Sequence, residues 1–217
     1  LGKEPSFGYS VLAFMLAETQ HKILVTTNFD NLAADALSIH SKTFPIVVGH
    51  DSLADYVRAT LRRPLIAKVH GSLGFAPKSS PADLSRLTEQ WQTALQRIVE
   101  RYTPIVIGYD GNDGSLMSLL EKMPNGTPDT VYWCVHCPEA SPQAVLSKVP
   151  SRVRDYIAAR KGRLVPIPGF DELMLLIHRQ LSKSGSVPDL YDSLKRRSEA
   201  RVKLFDEQHR QLTEKLD

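Results

Sequence analysis

Three short segments of this chain join residue types that can do chemistry on a bound ligand. The first is Thr26-Thr27-Asn28-Phe29-Asp30-Asn31-Leu32, an apolar run that ends in an amide and a carboxylate. The second is Lys68-Val69-His70-Gly71-Ser72. Its imidazole can take or give a proton near neutral pH, and the glycine after it lets a ligand approach the backbone closely. The third runs from Ile105-Val106-Ile107 through Gly108-Tyr109-Asp110-Gly111-Asn112-Asp113-Gly114 to Ser115-Leu116. Small residues and free backbone N–H groups at a helix start can cradle pyrophosphate or ribose oxygens. Each segment also has a plain structural reading. Asn28 or Asp30 can serve only as the N-cap of a helix opening at Leu32, a single histidine is often part of a core, and Gly and Asp fill any tight turn.

Which of these readings holds depends on the elements that carry the segments. Six apolar, β-branched runs recur along the chain: Lys22 to Thr26, Phe44 to Val48, Leu65 to Val69, Pro104 to Ile107, Val131 to Val135 and Leu164 to Ile167. They have strand length and are continuous rather than alternating, which fits burial on both faces of a parallel sheet. Between them lie helical patterns with three- and four-residue apolar spacing. Leu84, Leu87, Trp91, Leu95, Ile98 and Tyr102 form one, and Phe170, Leu173, Met174, Ile177 and Leu181 another. Gly8 to Ala17 already runs as helix. The rhythm predicts an α/β fold: a doubly wound, mostly parallel, Rossmann-like sheet with helices on both faces. Ligands then belong at the carboxyl ends of the strands, where all three segments fall.

The domain so defined is expected over residues 1–182. A linker follows at 183–188, where Ser, Gly and Pro concentrate, and a charged amphipathic helical extension at 189–217. Along the extension Val202, Phe205, His209, Leu212 and Leu216 alternate three and four apart, a stripe expected to dock on a partner, but two heptads are too few to argue for a stable coiled coil alone. Gly74 to Pro81 reads as a surface loop.

Composition narrows the function classes. The 217 residues are 42% apolar and carry a formal charge of +3, too weak a positive balance to point to nucleic acid. No stretch has the apolar length of a membrane span, and two cysteines make no disulfide framework, so a cytoplasmic location is expected. Cys134-Val135-His136-Cys137 has a metal-like spacing, but without a second ligand pair it reads as structural, and no metal site is expected.

Taken in order, the three segments resemble the sirtuin motifs. Thr27-Asn28-Phe29-Asp30 is similar to the family's Gln-Asn-Ile-Asp, His70-Gly71-Ser72 to its His-Gly-Ser, and Val106-Ile107-Gly108 to its Val-Ile-Gly-Thr-Ser. The resemblance covers about residues 8 to 180, and its wording is nearest to bacterial sirtuin-like domains of antiphage defence proteins, which are usually NAD hydrolases. It implies NAD as substrate, with Asn28 holding water or a polar contact beside the nicotinamide ribose and His70 as catalytic base. Asp30 would contact the nicotinamide carboxamide. Gly108, Tyr109, Asp110 and Ser115 would face the phosphates or the adenosine ribose, with Gly71 and Ser72 in support.

Three departures limit what the resemblance carries. Thr27 stands where sirtuins have glutamine, which weakens a ribose contact, and the family's glycine-rich pyrophosphate turn is expected upstream of Leu1 in a longer chain. The four-cysteine zinc module of deacylases is absent after Ser72, which disfavours protein deacylation. The resulting expectation is an NAD hydrolase releasing nicotinamide and ADP-ribose, as the effector of an antiphage defence protein. It would act as a homo-oligomer or with a fused or associated regulatory domain. The rival is a catalytically silent NAD or ADP-ribose sensor on the same fold.

Overall fold

The six apolar runs form six short strands, all parallel to their neighbours. In the computed structural model, which describes residues 4–216 apart from 42, 59, 71–88, 113, 115, 125, 140 and 186–188, they are β1 (Ile23–Thr26), β2 (Ile46–Val48), β3 (Leu65–Lys68), β4 (Ile105–Val106), β5 (Tyr132–His136) and β6 (Arg163–Ile167). Their ladders make two three-stranded sheets, ordered β1-β3-β2 and β4-β5-β6. The expected parallel, helix-flanked α/β architecture is therefore present, with its hydrogen bonding divided into two sheets. Burial follows the order. The central strand β3 is buried throughout, and so are the three middle residues of β5. The edge strand β2 leaves Ile46 and Val47 exposed, so burial on both faces, expected for every run, holds only where a strand has neighbours on both sides.

Helices α1 (Phe7–Glu18), α2 (Leu32–Ser41), α3 (Glu89–Val99), α4 (Leu116–Lys122), α5 (Pro142–Lys148), α6 (Ser151–Ala159), α7 (Phe170–Lys183) and α8 (Leu190–Leu216) precede, connect or follow the strands. On one face of the first sheet, Ala13 and Leu16 of α1 and Ala36 and Leu37 of α2 pack on Ile66. On the other, Leu65, Ala67 and Val69 join Trp91, Ala94, Leu95 and Ile98 of α3, with Trp133, Val153 and Ile157 in the same core. The three- and four-residue spacing in α3 supplies that face. Leu84, Leu87 and the expected surface loop lie outside the described residues.

The N-terminus of α1 is tied to the start of α7. Asp171 Oδ1 accepts hydrogen bonds from Ser6 Oγ at 2.6 Å and from the Gly8 backbone N–H at 2.8 Å. A Cβ on Gly8 would come within 2.4 Å of that oxygen, so the contact requires glycine. Next to it, the Tyr9 and Phe170 rings lie 5.2 Å apart.

Two compact units divide the chain, Leu1–Leu175 and Leu176–Asp217. In the second, His178 Nε2 accepts the Leu190 backbone N–H at 3.0 Å and pairs with Ser182 Oγ at 3.2 Å, fixing the start of α8. Further along α8, Val202, Leu204 and Phe205 are exposed. Among the described residues no helix is long and apolar enough to cross a membrane.

Candidate functional site

The turn between β1 and α2 is built by local side-chain contacts and one buried cation. Thr26 Oγ1 accepts the Asn28 N–H at 3.0 Å, and Asp30 Oδ1 accepts the Leu32 N–H at 3.2 Å, so Asp30 closes an Asx turn just ahead of α2, whose first helical bond runs to Asn31 O. From the neighbouring strand, Lys68 reaches beneath the turn. Its Nζ donates to Phe29 O at 3.0 Å, to Asn31 Oδ1 at 2.7 Å and to Asp30 O. Lys68 is only 1% exposed, and burial pushes its pKa down, opposed by the Asp30 and Asp35 carboxylates. Parallel pairing sets this up: Thr26 stands opposite Lys68, and the Val69 N–H donates to Thr26 O at 3.1 Å.

Above the turn is a hollow of about 150 Å³, walled by Asn28, Asp30, Asn31 and Lys68, by Tyr9 from α1, by Ile105 and Ile107 beside β4, and by Phe170. β1 and β4 both contribute, so the hollow marks where the two sheets face one another without a shared ladder. This is the switch point at which open parallel sheets take ligands. The Tyr9 hydroxyl is held up from its ordinary pKa by burial and by Asp30, while its hydrogen bond to Asn28 works the other way. An amide, a carboxylate and a phenol thus meet in one small cleft with apolar walls.

A second hollow, about 340 Å³, lies at the carboxyl ends of β4, β5 and β6. Gly108, Tyr109 and Asp110 line it, opposite His136, Lys148 and Gly169. Lys148 Nζ donates to His136 O at 3.1 Å. Ile107 and Phe170 border both hollows, so the two adjoin. The glycine turn is sterically obligatory at one point. Gly111 has φ +71°, and a Cβ there would lie 2.3 Å from Val153 Cγ2. Gly111→Ala is expected to destabilise the fold by about 1–3 kcal/mol from the backbone alone, with the Val153 clash adding to it. Chemical denaturation checks this, and a loss under about 0.5 kcal/mol, the range of neutral surface changes, would refute it.

Of the residues singled out from sequence, Asn28 and Asp30 share the first hollow, and Gly108, Tyr109 and Asp110 share the second. Thr27 and His70 line neither wall. His70 is 6% exposed with its ring 6.4 Å from that of Phe29, inside the turn system rather than on its surface. Gly71, Ser72 and Ser115 lie outside the described residues. Cys134 and Cys137 are buried thiols, and among the described residues no group of His, Cys, Asp and Glu could hold a metal ion.

Sequence reasoning missed Tyr9, Phe170 and Lys68. Lys68 did carry a signal, a charged residue ending an otherwise apolar strand. Tyr9 and Phe170 carried none, because they come from helices at opposite ends of the domain.

Residues 22–156 match the family model described as the SIR2-like domain. No curated protein matches the chain.

Proposed function

The chain belongs to the SIR2-like domain family, whose members are commonly NAD-dependent enzymes, and from that premise we propose that it hydrolyses NAD to nicotinamide and ADP-ribose. The observation that supports this most is the pair of adjoining hollows at the sheets' carboxyl edge, one small, with apolar walls and a few polar groups, the other wider and glycine-lined. An elongated dinucleotide needs such a bipartite site. The two hollows together reach the range of about 300–1,000 Å³ typical of small-molecule sites.

In this reading the nicotinamide ribose enters the first hollow and the adenosine half the second. The bond between ribose C1′ and the ring nitrogen breaks, and the bonding pair returns to the cationic nitrogen. Nicotinamide therefore leaves neutral and needs no general acid. Asn28 orients a water that adds to the electron-poor C1′, and the proton it sheds reaches His70 through an intervening water, since that ring lines neither hollow. Asp30 contacts the carboxamide with the carboxylate oxygen that does not accept the Leu32 N–H. Gly108, Tyr109 and Asp110 hold the phosphates or the second ribose, where backbone N–H groups of the glycine turn would stabilise negative charge. By the wording of its motifs, the domain is the effector part of an antiphage defence protein.

The test is release of nicotinamide from NAD, followed with a fluorogenic analogue and by chromatography of products. Stoichiometric nicotinamide and ADP-ribose are expected. If the folded protein gives no turnover while calorimetry detects ADP-ribose binding, the domain is a ligand sensor instead.

A further inference from the structure

Lys68 is an expensive residue to bury. An ammonium inside a fold loses its hydration, and an apolar residue at the end of β3 would avoid that cost. Its neighbours in the strand, Leu65, Ile66 and Ala67, are apolar. The charge is matched by three oxygens, all supplied by the segment 29–31 between β1 and α2. An ammonium has three N–H donors and no acceptor, so these contacts use its full capacity. None is left for a phosphate or carboxamide of a ligand, although Lys68 forms part of the hollow's wall.

The direction of the bonds matters as much as their number. In a planar trans peptide the C=O and the following N–H point opposite ways. Pulling Phe29 O and Asp30 O onto the ammonium therefore turns the N–H groups of Asp30 and Asn31 away from it. It also fixes the backbone on either side of the Asp30 side chain and adjacent to Asn28. A turn of this kind has no ladder of its own: besides Lys68, the Thr26 and Asp30 side chains hold it from within, and the Tyr9 hydroxyl bonds to Asn28.

We propose that Lys68 is a positioning residue, a buried cationic brace that sets the Asn28–Asn31 turn in its reactive geometry without touching the ligand. The proposal rests on the NAD-cleavage reading for its catalytic consequence, but its structural half is independent of it. A displacement of about 1 Å in a reacting group can cost about 100-fold in rate, whereas the adenosine side of the site, on the second sheet, is unaffected.

The experiment uses the full chain with Lys68→Met, and Asn31→Leu as the milder change that removes one of the three acceptors. Amide hydrogen exchange is measured without ligand, and kcat for NAD and Kd for ADP-ribose with it. In Lys68→Met, exchange across 27–32 is expected to rise about tenfold or more, while that of β5 and β6 stays unchanged. Turnover is expected to fall by up to about 100-fold with the ADP-ribose Kd within about twofold, below the tenfold that marks one lost interaction. Asn31→Leu should shift both readouts the same way but less, and it carries the test should Lys68→Met fail to fold. Unchanged exchange at 27–32, or ADP-ribose affinity lost in step with turnover, would overturn the proposal. If the wild type does not cleave NAD, the hydrolase reading fails, yet raised exchange confined to 27–32 still establishes the brace.

Discussion

His70→Ala is expected to lower NAD turnover by about 10²–10⁴-fold, the usual worth of a positioned general base. Two facts frame the result. His70 stands two residues past the end of β3, and the β1–β3 pairing brings that end of the strand against the segment that bears Asn28. It is also 6% exposed and packs near the Phe29 ring, so truncation opens space in the turn system. The measurement must therefore separate lost chemistry from lost structure. Circular dichroism and a denaturation midpoint report the fold, and calorimetry with ADP-ribose reports ligand binding apart from bond cleavage. A base acting only on water should leave ADP-ribose affinity near the wild-type value while kcat collapses. Asn28→Ala, at an exposed position where truncation disturbs no core, should show the same split. Retention of more than a tenth of wild-type turnover in His70→Ala would remove the histidine from the chemistry.

Trp91→Ala is expected to cost about 3–5 kcal/mol of stability, the range for truncating a large buried aromatic. Trp91 is 1% exposed and heads the fully buried side chains by size. It lies on the face of α3 that covers Leu65, Ala67 and Val69, so its loss leaves a cavity under the central strand. A domain of ordinary stability, about 5–15 kcal/mol, would lose a large share of its margin. The check is a urea titration in which the midpoint drops at constant slope. Trp91→Phe, which refills most of the space, should recover most of the loss. A change below about 1 kcal/mol in Trp91→Ala would mean that the core relaxes to close the space. Because β3 also carries Lys68, activity should be compared only where both proteins are folded.

The six strands and helices α1, α7 and α8 were legible in the sequence to within about two residues, whereas α5 and α6 gave no pattern that stood out. A continuous β-branched run between polar turns has few alternatives, and Trp91, Leu95 and Ile98 repeat at helical spacing. Legibility failed where burial depends on neighbours. Phe44 to Val48 reads like the other runs, yet Ile46 and Val47 are exposed because β2 has a partner on one side only. The site divided in the same way. Asn28, Asp30, Gly108 and Asp110 stand at strand ends, where chain direction alone sends them to the ligand edge. Their separation into two hollows, bordered jointly by Ile107 and Phe170, is set by the tertiary packing.

By itself, then, the sequence determined which residue types stand at which strand ends, because local periodicity and turn chemistry act over a few residues. Only the tertiary structure decided what those residues touch. Lys68 and the oxygens of Phe29, Asp30 and Asn31 are 37 to 39 positions apart, and Tyr9 and Phe170 stand near opposite ends of the first unit. Contacts over such distances come from parallel strand pairing and from helices packed over the sheet. No local pattern encodes them, because their free energy arises only when separate elements share one core.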